Sequence, residues 1–374
     1  METLKIAFFC WESLYSERVG GLARAATHLA ETLARDHEVH FFTRGEGEAE
    51  VNGVCYHYCR PFGENIVEYC RDMSIKMVDS FRQFDKPRFD VLHFHDWHAV
   101  EAMHVLKDRN TVFTYHSTEY GRNGNNFGDW WEFHEISGKE WYAGLIAKKV
   151  TTVSNTLKNE VMWLYNIPDW KVSVVPNGII PEEFYADVEP GDVKKDYGIH
   201  PLTPVVLFAG RLVFQKGPDL LLDAIPLVLK HRWDAKFLFA GDGDMRGWLE
   251  ERAKGLPARF LGYLPDSEFV RLLNASDIVV IPSRNEPFGL VLLEAWSAER
   301  CVVATDVGGL AENIENFVDG IKVYVNPESI AWGINYVIDD PVGVGMLGRR
   351  GREKVNGQFR WEVVADKMLD VYEV

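Results

Sequence analysis

The sequence has few cysteines, and they are not arranged for cross-linking or for binding zinc. Its 374 residues include five cysteines, an odd number without CxxC spacing: Cys10, Cys55, Cys59, Cys70 and Cys301. Neither a disulfide framework nor a zinc site is therefore indicated. The first nine residues read as a short strand and lack the layout of a signal peptide. We expect reduced thiols in a cytoplasmic protein.

Long apolar runs and an excess of positive charge are also missing. No run approaches the roughly 20 apolar residues of a membrane-spanning helix, so we expect no integral membrane segment. The formal net charge of −16 argues against sequence-independent binding of nucleic acid, which needs clustered Lys and Arg. No Ser-His-Asp set or GxSxG elbow supports acyl transfer. No short-period repeat or low-complexity tract is present.

The chain does contain two successive series of strand and helix patterns. Its length exceeds that of one modest core and favours two domains. The apolar runs that predict strands are 4–10, 39–43, 90–95, 111–115, 150–154 and 172–175 in the first series, and 205–210, 236–240, around 260, 278–281, 302–304 and 321–323 in the second. Residues 181–203 are rich in acids, Pro and Gly and predict a linker. The pattern predicts two α/β halves with parallel sheets.

Two cations follow the first strand of the second series. Arg211 and Lys216 are five residues apart, between glycines and before a predicted helix. Ligands of parallel sheets collect at the carboxyl ends of the strands, so this pair is typical of a diphosphate site. The alternative is two solvated charges in a loop. Gly308–Gly309 is a candidate to offer backbone N–H groups to the same anion.

The segment from Ser283 to Glu294 predicts a loop that opens a helix, with Pro287 near its first position. Gly289 lets a ligand approach the backbone. The carboxylates of Glu286 and Glu294 can each accept two neighbouring sugar hydroxyls. A capped helix with exposed acids is the alternative interpretation.

Polar and ring-bearing side chains also follow two strands of the first series. The clusters are His93, His95, Asp96, Trp97 and His98 after one strand, and His116, Glu119 and Tyr120 after the next. The histidines at 93, 95 and 98 permit a metal site, but their order with Asp96 differs from the HxHxDH pattern of metal hydrolases. Asp242-Gly243-Asp244 spells the DxD of metal-dependent sugar transferases, and its setting favours a turn.

Two glycine-containing segments complete the pattern. Gly20–Gly21 stands between the first strand and the first helix without a GxGxxG fingerprint, so no nucleotide site follows from it alone. Residues 121–142 are rich in Gly, Asn and Trp and predict a long ordered loop that leads into a helix. Loops of this length in compact domains are usually functional or disordered, and the aromatic content argues against disorder.

Several of these segments together resemble the retaining GT-B glycosyltransferases of group 1. Glu286-Pro-Phe-Gly-Leu290 through Glu294 is similar to the E-x7-E element of that family, and Arg211 with Lys216 is similar to its diphosphate pair. His93-Phe-His-Asp-Trp-His98 and Phe113-Thr-Tyr-His116 resemble glycogen synthase more closely. Gly262-Tyr263 and Val174-Val-Pro-Asn-Gly178 also match family positions. The resemblance covers nearly the whole chain.

The resemblance implies a fold and a division of the chain. The fold is α/β, with two Rossmann-like domains facing across a cleft. Residues 1–185 would form the domain on the acceptor side, and residues 186–357 the domain that binds the nucleotide sugar. The C-terminal helix, 358–374, would pack back on the first domain.

The resemblance also implies roles for particular residues. The residues implied as catalytic are His116, Arg211, Lys216 and Glu286. Those implied to bind the nucleotide sugar are Gly20, Gly21, Arg211, Lys216, Tyr263, Glu286, Phe288, Gly289, Leu290 and Glu294. Those implied to approach the acceptor are Asp96, Trp97, His98, Glu119 and Tyr120. No metal and no cofactor are implied beyond the donor substrate.

The implied reaction transfers a hexose to a hydroxyl of a carbohydrate such as an α-glucan. The hexose is glucose, the donor is UDP- or ADP-glucose, and no metal ion takes part. The alternative is a mannosyl- or other hexosyltransferase acting on a small sugar or a lipid-linked acceptor. A metal-dependent hydrolase built on His93, His95 and His98 is the hypothesis from another class, and a non-catalytic sugar-binding protein is the third. The sequence departs from glycogen synthases in its short length, in Arg18 where they carry Lys, and in Phe288 where they carry Cys.

Overall fold

The computed structural model describes residues 3–16 and 20–372 of the chain. Arg18 lies outside these ranges. The chain divides into two compact units. The first unit comprises Met1–Arg122, Asn126–Gly178 and Trp361–Val374, and the second comprises Asn123–Asn125 and Ile179–Arg360. The domain boundaries at 185/186 and 357/358 stay a prediction. Within the described ranges, no helix combines the length and the apolar character needed to cross a membrane.

The first unit is built on an eight-stranded sheet. Its strands are β1 (Lys5–Phe9), β2 (Glu38–Arg44), β3 (Glu48–Val51), β4 (Val54–Cys59), β5 (Val91–His95), β6 (Thr111–Tyr115), β7 (Lys149–Thr152) and β8 (Val172–Val174). They lie in the order β3-β4-β2-β1-β5-β6-β7-β8. Only β3 is antiparallel to its neighbour. Successive strands are added to one side of β1 as far as β4 and to its other side from β5 onward. The carboxyl ends of β1 and β5 are therefore the topological switch point of this sheet.

The centre of this sheet is buried on both faces. Every residue of β1, with the sequence KIAFF, is buried, as expected for a central strand of a parallel sheet. The Phe9 ring stacks on those of Phe94 and Phe42, with ring centroids 4.4 and 5.1 Å apart. These rings bring β1, β2 and β5 into one apolar layer and fix the ends of β1 and β5.

Seven α-helices belong to the first unit in the part that the structure describes. They are α1 (Gly21–Leu33), α2 (Ile66–Phe84), α3 (Val100–Val105), α4 (Glu119–Arg122), α5 (Trp131–Ile146), α6 (Asn155–Tyr165) and, from the C-terminal end, α15 (Trp361–Tyr372). The last of these is anchored at both ends. The Trp361 ring covers Gly178, where a methyl group would overlap it, and the Tyr372 hydroxyl lies 2.6 Å from Nδ1 of His93.

The second unit is built on a six-stranded, fully parallel sheet. Its strands are β9 (Val205–Ala209), β10 (Lys236–Ala240), β11 (Ala258–Gly262), β12 (Ile278–Ile281), β13 (Cys301–Thr305) and β14 (Ile321–Val323). The order is β11-β10-β9-β12-β13-β14. The neighbouring strands β9 and β12 are therefore the switch point of this sheet.

The helices of the second unit flank this sheet. They are α7 (Pro190–Asp196), α8 (Pro218–Leu229), α9 (Arg246–Arg252), α10 (Asp266–Ala275), α11 (Leu290–Ser297), α12 (Gly308–Asn313), α13 (Pro327–Asp339) and α14 (Pro341–Gln358). The indole of Trp296 on α11 is fully buried, and its Nε1 donates a hydrogen bond of 2.8 Å to the carbonyl oxygen of Asp319. Because a buried indole N–H needs such a partner, this bond fixes α11 against the turn before β14.

One helix begins later than its sequence predicts. The helix expected to open near Pro287 begins at Leu290, with Gly289 as its N-cap. Gly289 has a φ of +98°, a conformation that only glycine adopts readily. Pro287 therefore belongs to the loop after β12, and this loop is longer than expected.

Candidate active site

The predicted donor residues of the second unit collect at its switch point. Arg211 and Lys216 follow β9, and the segment from Ser283 to Gly289 follows β12, the neighbouring strand. Both segments thus lie at the carboxyl edge of the sheet, where ligands of doubly wound sheets bind. Arg211 is exposed at this edge.

Lys216 and Glu286 form a close ion pair across these two loops. The Lys216 ammonium donates hydrogen bonds of 2.7 and 2.9 Å to the two carboxylate oxygens of Glu286. The Ser283 hydroxyl donates a third, of 3.0 Å, to Oε2 of Glu286. Glu286 is only 7% exposed. A buried carboxylate that loses its cation is strongly destabilised, so each partner holds the other in place.

The backbone of Glu286 is supported by the first turn of α12. A methyl group at Gly308, whose φ is +51°, would overlap the Glu286 carbonyl oxygen. The N–H of Gly309 donates a hydrogen bond of 2.8 Å to that oxygen. The prediction that Gly309 offers this N–H to an anion is therefore wrong, because Glu286 already occupies it. The glycine pair lets the start of α12 approach the loop after β12 closely.

The other predicted donor residues of this unit lie along the same edge. Phe288 is buried, with its ring edge-on to that of Phe359 at a centroid distance of 5.9 Å. Leu290 and Glu294 lie on the first two turns of α11 and are partly buried. Tyr263 directly follows β11 and is 66% exposed. An exposed tyrosine ring at this edge suits stacking on a planar base.

The DxD sequence after β10 is a turn. Oδ1 of Asp242 accepts the N–H of Gly243 at 2.8 Å, and Oδ2 pairs with Arg246 at 3.1 Å. The Asp242 carboxylate is thus engaged by its own turn and by the next helix.

In the first unit, the glycine pair and the cluster around Asp96 flank the switch point between β1 and β5. Gly20 and Gly21 are exposed at the start of α1, and the Gly20 N–H donates to Oε2 of Glu12 at 3.3 Å. Apart from its own chain neighbours, no described atom lies within 4 Å of a methyl group built on Gly20.

Asp96 has a strained backbone. Its φ of +54° and ψ of 177° lie in a region that non-glycine residues rarely adopt. Its carboxylate accepts the N–H of His116 at 2.8 Å, and its own N–H donates to the carbonyl of Thr114 at 3.0 Å. These bonds tie the end of β5 to the end of β6. Strain of this kind clusters at functional sites.

The histidines behind Asp96 form a buried hydrogen-bonded group. Nε2 of His116 lies 3.0 Å from Nδ1 of His95. Both ring nitrogens of His93 are engaged, one by Tyr372 and one by Thr114 at 2.6 Å. His98 stacks on Trp11 at a centroid distance of 4.2 Å.

This arrangement does not fit the metal hypothesis. With Tyr372 and Thr114 as its partners, His93 has no nitrogen left for a metal ion. No group of three or more His, Cys, Asp or Glu side chains is arranged to hold a metal among residues 3–16 and 20–372. The hydrolase built on His93, His95 and His98 is therefore not supported, for a reason of side-chain geometry.

Burial keeps these imidazoles neutral. It lowers the pKa of His93 to about 3, with a smaller contribution from His116. The pKa values of His95 and His98 also lie well below the ordinary value, again chiefly because of burial. Burial lowers the pKa of His116 as well, although the Asp96 carboxylate acts in the opposite direction. A neutral His116 can donate or accept a hydrogen bond at a sugar hydroxyl.

We expect the protein to become less stable in urea as the pH falls below about 6.5, the ordinary histidine pKa. Below that pH, these histidines take up protons in the unfolded chain but stay neutral in the folded protein. Each pH unit of acidification therefore lowers the free energy of unfolding by about 1.4 kcal/mol for each such histidine. Urea midpoints measured across this range check it. In His93→Gln, the slope should be shallower by the contribution of one histidine, and an unchanged slope would contradict the assignment.

The remaining predicted acceptor residues differ in their exposure. Trp97 and His98 are 4% and 8% exposed, whereas Glu119 and Tyr120 on α4 are partly exposed. The acceptor role of Trp97 and His98 stays a prediction. No role was predicted for Ser283, although it stands within the segment from Ser283 to Glu294, and none for Glu140, whose side-chain partner Tyr165 lies 25 residues away in sequence.

Comparison with known proteins matches both parts of the chain to glycosyltransferase families. Residues 19–183 match the model described as Glycosyltransferase Family 4, and residues 192–354 match the model described as Glycosyl transferases group 1. An uncharacterised glycosyltransferase of Methanocaldococcus jannaschii is 37% identical, over 99% of this chain and 98% of its own. A glycogen synthase of Mycobacterium tuberculosis is 26% identical, over 95% and 91%.

A solved structure has the same fold. The catalytic domain of starch synthase IV from Arabidopsis thaliana, bound to ADP and acarbose, superposes with a TM-score of 0.82, at 17% identity and over 99% of both chains. The predicted GT-B fold class, with two α/β domains, is confirmed. The family models and the relative of 37% identity also confirm the family predicted from the sequence. The chain belongs to the group 1 glycosyltransferases and is related to glycogen synthase.

Proposed function

We propose that this glycosyltransferase moves glucose from UDP- or ADP-glucose to a hydroxyl of a carbohydrate, an α-glucan, with retention at the anomeric carbon. The observation that carries the proposal is the Lys216–Glu286 pair at the switch point of the second unit, with Arg211 on the same loop as Lys216. A cation there can hold a diphosphate, and a carboxylate beside it can hold the hydroxyls of the attached sugar.

The chemistry follows from the charges. The bond from the anomeric carbon to the donor phosphate breaks, and negative charge grows on the leaving nucleoside diphosphate. Lys216 and Arg211 would stabilise that charge, the kind of electrostatic effect that usually contributes most to catalysis. Glu286 would keep the Lys216 ammonium in position before the donor binds. These two cations make the proposed reaction independent of a metal ion.

The first unit also contains groups suited to bind a sugar. His116 is held by Asp96 and His95, and its neutral imidazole is suited to a hydrogen bond with a sugar hydroxyl. No described carboxylate is assigned as a nucleophile. The proposal is that the acceptor hydroxyl attacks from the same face that the diphosphate leaves and passes its proton to the departing phosphate oxygen.

One relative and one structure of the same fold support a glucan acceptor. One is named a glycogen synthase, and the related starch synthase structure is described as bound to ADP and acarbose. The alternative is transfer of mannose or another hexose to a small sugar or to a lipid-linked acceptor. Tyr263 fits this alternative equally, because its exposed ring would stack on the nucleobase of any donor and backbone groups can select that nucleobase.

A thermal-shift panel of nucleotide sugars tests the donor. We expect UDP-glucose or ADP-glucose to raise the melting temperature, because a ligand at about 100 times its Kd stabilises the fold by about 2.7 kcal/mol. GDP-mannose serves as the comparison. Transfer to maltoheptaose, followed by NMR of the new anomeric proton, then tests acceptor and stereochemistry. A shift by GDP-mannose alone would favour the mannosyl alternative, and a β-linked product would contradict retention.

A further inference from the structure

A buried carboxylate of the first unit ties together three of its helices. Glu140 on α5 has a side chain only 1% exposed. It accepts the backbone N–H of Glu119 at 2.9 Å and further hydrogen bonds from the Arg122 guanidinium and the Tyr165 hydroxyl. Glu119 and Arg122 lie on α4 and Tyr165 on α6. One carboxylate therefore connects α4, α5 and α6.

Arg122 extends this network along the chain before α4. Its Nε donates to Glu119 at 2.8 Å, and its Nη1 donates to the Ser117 hydroxyl at 2.6 Å. Between them, the Thr118 hydroxyl oxygen accepts the N–H of Gly121 at 2.9 Å. Side-chain bonds thus hold the whole segment of residues 117–122, which we call the α4 segment.

The α4 segment cannot hold its own conformation. A helix of a single turn lies below the length at which helices persist, so its geometry depends on tertiary contacts. Apolar side chains could have supplied them, since a buried ion pair is often no more stabilising than well-packed apolar residues. A buried Glu–Arg pair supplies instead a defined orientation through directional bonds.

We propose that Glu140 is a positioning residue for glycosyl transfer: through Arg122 and the Glu119 N–H it fixes the α4 segment and so orients Glu119 and Tyr120 for the acceptor sugar. This inference rests on the proposed function. It adds to that proposal a residue which touches neither substrate and acts through the segment it holds.

The ionisation of Glu140 gives the proposal a pH signature. Burial raises the pKa of Glu140 to about 7, against the opposing effect of Arg122. The titratable groups that face it are Arg122 and Glu119 on α4, Tyr165 on α6, Tyr115 on β6, and Asp96. Protonation of Glu140 below about pH 7 removes its charge and weakens its hold on Arg122. The wild-type kcat/KM for the acceptor should therefore fall as the pH falls through about 7.

The test compares Glu140→Gln with Asp85→Asn in the full chain. Asp85 is a matched control, because it also accepts a backbone N–H, from Phe89 at 3.0 Å, and pairs with an arginine, Arg109, at 2.7 Å. In Glu140→Gln, we expect the KM for maltoheptaose to rise about tenfold or more, as for loss of a charge-assisted bond. The KM for the donor and kcat should change less than about threefold. The acidic decline near pH 7 should disappear.

A second readout separates this inference from the proposed function. Amide hydrogen exchange of residues 117–122 should accelerate in Glu140→Gln and stay as in wild type in Asp85→Asn. Unchanged exchange in Glu140→Gln would overturn the positioning role whatever the substrate. Faster exchange with an unchanged acceptor KM would overturn the link to the acceptor. If wild type uses no saccharide acceptor but exchange still accelerates, the proposed function fails while the structural hold of Glu140 stands.

Discussion

Lys216→Ala is expected to lower the turnover of glycosyl transfer by about 10²–10³-fold, the usual cost of removing one group that stabilises developing negative charge. Lys216 pairs with Glu286 beside the proposed diphosphate site. Its loss would remove a cation from the proposed leaving group and leave the buried Glu286 carboxylate, which also accepts the Ser283 hydroxyl, without its cation. The measurement is kcat for transfer from the donor that the thermal-shift panel selects. Arg211→Ala should lower turnover in the same way.

The second unit contains a matched control for this substitution. Lys194 pairs with Asp277 at 2.7 Å and is 6% exposed, and Asp277 also accepts the N–H of Val205. This second Lys–carboxylate pair joins α7 to the residue before β12, and the Val205 bond joins that residue to the start of β9, so the pair lies at the opposite ends of the same two strands. Lys194→Met should therefore lower the melting temperature without lowering turnover. If Lys216→Ala turns over as fast as wild type, the proposal that Lys216 stabilises the leaving diphosphate is wrong.

Glu286→Gln is expected to lower turnover by about 10²-fold or more. The substitution removes the carboxylate that orients Lys216 and that would accept hydrogen bonds from the sugar hydroxyls. If the two residues act as a pair, the double variant Lys216→Ala/Glu286→Gln should lose much less than the product of the single losses. The measurement is the double-mutant cycle on kcat/KM.

The same cycle on Lys194 and Asp277 provides the comparison. Asp277→Asn and Lys194→Met should show coupling in the free energy of unfolding but none in kcat/KM. Strictly multiplicative losses for Lys216 and Glu286 would mean that they act independently. The ion pair in the structure would then have no part in the reaction.

Much of the strand framework could be predicted from the sequence. The buried run of β12, at 278–281, and the strand β10, at 236–240, have the predicted bounds, because parallel strands buried on both faces are continuous apolar runs. The hairpin of β3 and β4 was not predicted. Its first strand, Glu48–Val51, carries mostly exposed and charged side chains at the sheet edge, so no apolar run marks it.

Residues of the site could be predicted only where they stand close to the end of a predicted strand. Lys216 and Glu286 stand beside strand ends, and the strand pattern is enough to bring them to one edge. The backbone of Asp96, with a φ of +54°, has no signature in its side chain. The partners of Glu140 include Tyr165, which lies 25 residues further along the chain, and Arg122. Contacts of that range come from packing, which a local pattern does not encode.

The histidine cluster shows how one spacing fits two structures. His93 and His95 alternate along β5, a spacing that serves a metal site as well as a buried hydrogen-bonded group. The distinction depends on Tyr372, which α15 brings to His93 from the far end of the chain. Only the folded structure reveals that partner.

Calorimetric titration with a nucleoside diphosphate tests the central claim most directly, because it isolates the diphosphate from the sugar and the acceptor. UDP and ADP, with UMP and AMP as controls, are titrated into wild type, Lys216→Ala and Lys194→Met. We expect Lys216→Ala to weaken binding of the diphosphate about tenfold or more, with monophosphate binding and the Lys194→Met variant little changed. A diphosphate that binds Lys216→Ala as tightly as wild type would contradict the account.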